Sequence, residues 1–153
     1  MATRFLTPGE RDLARSVYGG SLALGEIEIR RRRWFPLQPR DTVMAPCGHL
    51  HFHPSGSAYR DDFSLADIGA RGLFVHELCH VWQTQRRGRY FLPLMRHPFC
   101  RYDYAIDAGR PLDRYGIEQQ AEIVRHGYMM REGYRIPDKP PRAVYEALLA
   151  QLR

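Results

Sequence analysis

The sequence predicts an α+β domain in which a small mixed or antiparallel sheet packs beside a helix that carries the motif H-E-x-x-H. Four segments have the apolar spacing of a helix, and the central one covers residues 73–83. Polar and apolar residues alternate in residues 26–30 and 49–53, as they do in strands. The length of 153 residues, 44% of them hydrophobic, predicts one domain over residues 1–153 with its own core.

The first helix is predicted from the signals at its two ends. Thr7 suits the N-cap, Pro8 suits the first turn, and Glu10 completes a capping box. Gly19 and the glycine after it end the helix. The alternation from Glu26 to Arg30 then predicts a strand.

A β-hairpin is predicted next, because residues 42–45 and 49–53 flank the turn Pro46-Cys47-Gly48. The residues that would share one face of its second arm are Cys47, His49, His51 and His53. Two interpretations stay open, a second metal site and an edge that faces a peptide substrate. Same-face positions about 6–7 Å apart are wide for chelation, which favours the edge.

The central helix holds His76, Glu77 and His80 as H-E-x-x-H. The two histidines are one turn apart, so their neutral imidazoles can bind one Zn²⁺ and leave other coordination positions open. Glu77 then lies where it can take a proton from metal-bound water. The apolar residues around the motif predict a buried helix, in which each unpaired polar group costs about 1–3 kcal/mol. The alternative is a core helix with hydrogen-bonded histidines.

The second half of the chain is predicted to contain a long irregular segment followed by two clear helices. Residues from Tyr90 to Arg110 are rich in proline and aromatic residues, which predicts mostly loop with a short helix near Tyr102–Asp107. A clearer helix runs from Ile117 to about Arg131, and a last one from about Arg142 to Leu152.

The third metal ligand must come from outside the motif, and the second helix offers it. Glu118 and Glu122 are four residues apart and share one face. One carboxylate can bind the metal while the other hydrogen-bonds a ligand histidine. The alternative for this pair is an ordinary solvated helix face.

H-E-x-x-H followed by a helix with E-x-x-x-E resembles the gluzincin class of zincin metallopeptidases. The resemblance implies a zincin-like fold, with Glu118 as the third zinc ligand and Glu122 as the residue that orients the first histidine. The class usually has Asp at the second of these positions, so Glu122 departs from the pattern. Glu77 would be the general base in this class.

A second resemblance covers much of the chain. The stretches L-T-P-G-E-R-D-L-A-R-S-V-Y-G, Q-P-R-D-T-V-M-A-P, H-F-H-P, Y-R-D-D-F and H-E-L-C-H-V-W-Q look like small proteobacterial proteins labelled Vgr-related. The last stretch is also similar to the peptidase-like core domain of contractile injection systems. These resemblances imply a link to type VI secretion or a related machine, and hence an effector with a secretion-system component as partner.

A hydrolase of this type also needs a donor for the oxyanion of its tetrahedral intermediate. The candidates near the second helix are Tyr115, His126, Tyr128 and Tyr134. Nothing in the sequence selects among them.

Charge and composition bound the remaining function classes. The net charge of +6 and the run Arg30–Arg33 would suit nucleic-acid binding, but a solvated face is the commoner use of such a run. No apolar run approaches the ~20 residues of a membrane span, and the N-terminus lacks the apolar core of a signal peptide. Three cysteines without C-x-x-C indicate free thiols. We expect a cytoplasmic location, or export by a contractile secretion system without a cleaved signal.

The sequence therefore predicts a zinc-dependent hydrolase, and within that class a metallopeptidase. Its substrate would be a peptide or protein, and a peptidoglycan peptide would suit the same chemistry. The alternative is a metal-stabilised binding or assembly protein that keeps the scaffold and has little or no catalysis.

Overall fold

Helices dominate the computed structural model, which describes residues 2–153. The helices are α1 (Pro8–Tyr18), α2 (Ile68–Arg87), α3 (Phe91–Met95), α4 (Ile117–Arg131) and α5 (Arg142–Leu149). The strands are β1 (Thr3–Phe5), β2 (Glu28–Arg30) and β3 (Leu50–His51). The predicted α+β class is confirmed. None of the helices within residues 2–153 has the length and apolarity that crossing a bilayer requires.

The start of α1 ties the sheet to the helices. Thr7 Oγ1 accepts a hydrogen bond from Glu10 N, and Glu10 accepts one from Thr7 N in return, so the predicted capping box is confirmed. The Glu10 carboxylate is fully buried and pairs with Arg4 of β1 at 2.8 Å. It also accepts from Phe63 N in the turn before α2. One acidic side chain thus joins three parts of the chain.

The sheet has the order β1-β2-β3, with β1 and β2 antiparallel and β2 and β3 parallel. The predicted hairpin is reduced to one antiparallel bridge, in which Met44 and His51 exchange two main-chain hydrogen bonds of 3.1 and 2.7 Å. The Gln38 amide donates to the carbonyls of Thr42 and His51, and Pro46 has no N–H to extend the ladder. The pairing was therefore predicted correctly and its length was not.

Helix α2 contains the predicted residues 73–83 and extends beyond them at both ends, from Ile68 to Arg87. Asp67 caps its first turn by accepting from Ala70 N, and Gly88 follows its end with φ near 100°. The helix packs along α4, and Gly72 makes the approach close. A Cβ on Gly72 would lie 3.3 Å from the Arg125 side chain of α4. This pair of helices positions the site.

The predicted short helix near Tyr102–Asp107 is wrong, and the helix lies at Phe91–Met95 instead. Pro93 occupies the first turn of α3, where its missing N–H costs no hydrogen bond. Side chains from other parts of the chain form hydrogen bonds with the main chain of the extended segment that follows α3. Gln119 donates to Asp103 O, and Tyr115 Oη accepts from Asp107 N.

The last helix is shorter than the sequence predicts. Helix α5 ends at Leu149, and a 3₁₀ turn covers Ala150–Leu152. It packs against α4 at Gly127, where a Cβ would come within 2.8 Å of Leu149 Cδ1.

Candidate metal centre

Three potential ligand atoms converge between α2 and α4. His80 Nε2 lies 3.2 Å from His76 Nε2 and 3.1 Å from Glu118 Oε2, and the third separation is 3.3 Å. All three residues are buried. The histidines come from successive turns of α2, and Glu118 comes from the first turn of α4.

These separations fit a tetrahedral zinc ion. Zinc–nitrogen and zinc–oxygen bonds of about 2.0–2.1 Å place adjacent tetrahedral ligands about 3.3 Å apart. Three ligands at that spacing leave the fourth position open, which is the arrangement of catalytic rather than structural sites. The His76, His80 and Glu118 donor set is also one that zinc accepts.

The tautomer of His80 is set by a glutamine one turn later. Gln83 Nε2 donates to Ile117 O and Gln120 Oε1, so its oxygen must face His80. His80 Nδ1 lies 2.9 Å from that oxygen and donates to it. The lone pair of a neutral His80 is therefore on Nε2, directed at the ligand cluster.

His76 is oriented in the same way by Glu122. Its Nδ1 lies 2.8 Å from Glu122 Oε1, and a carboxylate can only accept a hydrogen bond. With both histidines neutral, the two Nε2 lone pairs and the Glu118 carboxylate face one another with no hydrogen between them. A cation is needed to hold such a group together, so the residues present fit a metal ion.

The pKa shifts in this cluster also favour a bound positive charge. Burial lowers the pKa of His76, but hydrogen bonds to Glu118 and Glu122 outweigh it and raise the pKa to about 9. Burial raises the pKa of Glu118, but hydrogen bonds to His76 and His80 hold it well below its usual range. In addition, Glu118 Oε1 is buried without a hydrogen-bond partner in residues 2–153. The site attracts positive charge, whether a proton or a metal supplies it.

Glu77 lines the same cleft as the three candidate ligands. The cleft has a volume of about 320 Å³ and is bounded on the helix side by α2 and α4. Burial raises the pKa of Glu77, while the neighbouring His76 and His80 lower it, and the net shift is upward. A carboxylate so placed can exchange protons with a group bound in the cleft.

The opposite wall of the cleft comes from loops. Residues 41–43 form one part of it, and Arg96 and Tyr102 form the other. The Tyr102 ring stacks on His76 with centroids 6.2 Å apart, and Arg96 Nε lies 3.8 Å from Glu118 Oε1. Sequence reasoning missed these two residues. The only signal for them was the density of arginine and aromatic residues in the loop.

The structure does not bring the predicted tyrosine oxyanion donors to the cleft wall. Tyr115 Oη accepts from Asp107 N and lines a separate cavity. Tyr128 contacts Arg71 through its hydroxyl, and Tyr134 is 46% exposed. Of the three, only Tyr128 lies on α4, because Tyr115 precedes the helix and Tyr134 follows it.

His126 does not lie on the cleft wall either, and both of its ring nitrogens face the protein. Its Nε2 lies 3.4 Å from Glu122 Oε2, and its Nδ1 lies 2.6 Å from Tyr104 Oη. It stands behind Glu122 and is not among the residues that line the cleft.

The hairpin residues do not form a second ligand set in the described chain. His49 Nδ1 accepts from Glu28 N, and His53 accepts from Arg33 through Nε2. His51 is buried, and burial together with the nearby Arg30 lowers its pKa to about 4. Within residues 2–153, the group whose geometry could hold a metal is His76, His80 and Glu118.

A buried two-helix cluster of two histidines and two glutamates, open to a cleft that also holds Glu77, defines a candidate metal-dependent protein. No protein-family model matches the chain. The chain is 36% identical over 142 residues to the type VI secretion system spike protein VgrG2b of Pseudomonas aeruginosa. That match covers 87% of this chain and 14% of the spike protein, so the chain spans about one seventh of its relative.

A solved structure gives the particular family. The effector domain of Pseudomonas aeruginosa VgrG2b aligns over 99% of this chain and 84% of that chain, with a TM-score of 0.78 and 31% identity. The chain belongs to the family of this effector domain. The predicted relationship to proteins of type VI secretion is thereby confirmed.

Proposed function

We propose that this protein is a zinc-dependent hydrolase, a gluzincin-like metallopeptidase on a zincin-like fold that acts as a type VI secretion effector. One observation carries the proposal. Three donor atoms, two imidazole nitrogens and a carboxylate oxygen, converge at 3.1–3.3 Å beside the carboxylate of Glu77, in a cleft open to a ligand.

His76, His80 and Glu118 would hold the ion, and Glu122 would orient His76. When bound there, Zn²⁺ supplies a Lewis acid that polarises a carbonyl and lowers the pKa of water toward ~7. The donor set favours zinc over Mg²⁺ or Ca²⁺, because those ions prefer all-oxygen sites.

Glu77 is the general base of the proposed reaction. It takes a proton from the attacking water and returns that proton to the leaving amine as the carbon–nitrogen bond breaks. Burial raises the pKa of Glu77, which suits a group that must both accept and release a proton near neutral pH.

The loop wall supplies the groups that would hold a peptide. Met44 pairs with His51 on the inner side of its segment, and the main-chain groups of Val43 and Ala45 make no hydrogen bond within residues 2–153. An extended peptide can pair with such an edge. Arg96 and Tyr102 also line the cleft, where their side-chain donors can stabilise negative charge on the carbonyl oxygen of the substrate.

An apolar cavity of about 160 Å³ adjoins the ligands His80 and Glu118. Trp34, Met44 and Leu92 are among its walls. It has room for one apolar side chain of the substrate. An amide in a protein or in a peptidoglycan peptide would meet these requirements.

Delivery by a secretion machine is part of the same proposal. The relatives are a type VI secretion spike protein and its effector domain, which supports a secretion-system component as the partner of this chain. The location of action would then be the compartment into which the machine delivers the protein.

A digest of a peptide library by the purified zinc-loaded protein tests the proposed activity. The wild type should cleave, and Glu77→Gln should lose cleavage by a factor of at least about 10³ while it retains zinc. The control is Glu146→Gln, since Glu146 lies on α5 and pairs with surface arginines. Equal cleavage by wild type and Glu77→Gln would refute the role of Glu77.

A metal-stabilised assembly protein is the second candidate, favoured by one observation. The ligands come from two different helices, so an ion bound there would cross-link α2 to α4. Zinc binding with a raised Tm and no cleavage by the wild type would support this alternative over the peptidase.

A further inference from the structure

A line of polar side chains, joined by hydrogen bonds and one ion-pair contact, runs from His76 into the core behind the cleft. Glu122 Oε1 lies 2.8 Å from His76 Nδ1, and Glu122 Oε2 lies 3.4 Å from His126 Nε2. His126 Nδ1 lies 2.6 Å from Tyr104 Oη, which lies 2.6 Å from Tyr145 Oη. The line crosses from α2 to α4, to the loop and to α5.

The chemistry of the members gives the line one direction. The Glu122 carboxylate can only accept, so His76 Nδ1 carries hydrogen. The other Glu122 oxygen lies 3.4 Å from His126 Nε2, and its negative charge favours the tautomer with hydrogen on that nitrogen. Burial lowers the pKa of His126, and the neutral ring then has its lone pair on Nδ1. Tyr104 must therefore donate its only hydroxyl hydrogen to His126, and Tyr145 must donate to Tyr104.

The inner end of the line is held firmly. Tyr145 is fully buried, which leaves its hydroxyl no water partner in place of Tyr104. Lys139 Nζ lies 4.1 Å from the centre of the Tyr104 ring and 3.4 Å from Tyr104 O. A loop residue is thus anchored between α4 and α5, although the loop around it has no regular structure.

We propose that His126, Tyr104 and Tyr145 are positioning residues for the metal centre. They hold Glu122 in the orientation that accepts from His76 Nδ1, and they thereby keep the lone pair of His76 Nε2 directed at the ion. The inference rests on the proposed metal site and deepens it. It replaces the oxyanion role that the sequence suggested for His126.

The test measures zinc affinity of the purified full chain by competition with a chromophoric chelator. Tyr104→Phe removes only the hydroxyl that donates to His126, and the dissociation constant for zinc should rise about tenfold. Tyr145→Phe should raise it less, because Tyr104 keeps its own hydrogen. The matched control is Tyr128→Phe, a buried tyrosine whose hydroxyl contacts Arg71 outside the line; its zinc affinity should stay within twofold of the wild type.

A second readout separates positioning from general destabilisation. Long-range ¹⁵N–¹H correlation spectra of the histidine rings should show His126 protonated on Nε2 alone in the wild type and in Tyr128→Phe. In Tyr104→Phe that single tautomer should be lost while the backbone spectrum stays folded.

Equal zinc affinity for Tyr104→Phe and Tyr128→Phe would overturn the proposal, as would an unchanged His126 tautomer in Tyr104→Phe. Failure of the metal site itself gives a different result, namely a wild type that binds no zinc. The positioning role would then be refuted as well, but by the wild type and not by the variants.

Discussion

The two walls of the cleft are built in different ways. The helical wall presents His76, His80 and Glu118 from two long helices packed face to face, and all three are buried. The loop wall presents Arg96 and Tyr102 from a segment without regular structure. The helical wall determines where an ion can bind, because the packing of α2 against α4 fixes the positions of the potential ligand atoms. The loop wall sets what can lie against that ion.

This difference separates the effects expected of substitutions. A change in the helical wall should remove metal and activity together. A change in the loop wall should leave the metal in place and act on turnover or substrate choice.

Loss of a ligand from the helical wall should have the largest effect. Glu118→Ala removes the only carboxylate of the ligand set, and the zinc dissociation constant should rise about a thousandfold, which corresponds to about 4 kcal/mol. Chelator competition measures it, with Glu146→Ala as the control on a surface pair. Undiminished stoichiometric zinc binding by Glu118→Ala would show that the ligand set is wrong.

Arg96→Ala should separate the loop wall from the metal. Zinc affinity should stay within a few-fold of the wild type, whereas kcat should fall about a hundredfold through loss of a donor to the developing charge. The matched control is Arg101→Ala, because Arg101 is in the same loop with a side chain that is 75% exposed. A parallel loss of zinc in Arg96→Ala would mean that the two walls are not independent.

The support behind the helical wall should be sensitive to a single methyl group. Gly127→Ala places a Cβ within 2.8 Å of Leu149 Cδ1, and both positions are buried, so the Leu149 side chain must move or α4 and α5 must separate. We expect a loss of about 1–3 kcal/mol in the free energy of unfolding. Gly25→Ala is the control, since a Cβ there meets no atom within 4 Å. Thermal melts that coincide for the two variants would contradict this packing.

The smallest effect expected is a pH dependence from the strand beside the loop wall. Burial and the nearby Arg30 lower the pKa of His51 to about 4, below the unfolded value of about 6.5. The unfolded chain therefore binds a proton that the folded chain excludes between those two pH values. The contribution of His51 to the free energy of unfolding is fully present above pH 6.5 and is lost as the pH falls toward 4. We expect it to be roughly 1–2 kcal/mol. Urea denaturation at several pH values should show that His51→Phe loses less of its free energy of unfolding between pH 6.5 and 4 than the wild type does. If the free energy of unfolding falls with pH equally in both proteins, His51 is not the source of the loss.

The helices and the three candidate metal-binding residues could be predicted from the sequence because their signals are local. The capping box at Thr7 and Glu10 marked the start of α1, and Gly19 marked its end. The spacing of His76 and His80 placed two side chains on one face before any tertiary contact was known. Glu118 was found because it shares a helix face with Glu122.

The rest depended on contacts that no local pattern encodes. Strand β1 has three residues and is held by pairing with β2, so its alternation is too short to recognise. Arg96 and Tyr102 reach the cleft from the irregular segment that follows α3. Tyr104 meets His126 across 22 positions of the chain, through a hydrogen bond that ordinary loop composition does not predict.

Anomalous diffraction at the zinc absorption edge, from crystals of the wild-type protein grown with zinc, tests the central claim most directly. One peak is predicted between α2 and α4, about 2.0–2.2 Å from His76 Nε2, His80 Nε2 and a Glu118 carboxylate oxygen. A crystal that contains zinc elsewhere and shows no peak between these three residues would contradict the metal centre and the function derived from it.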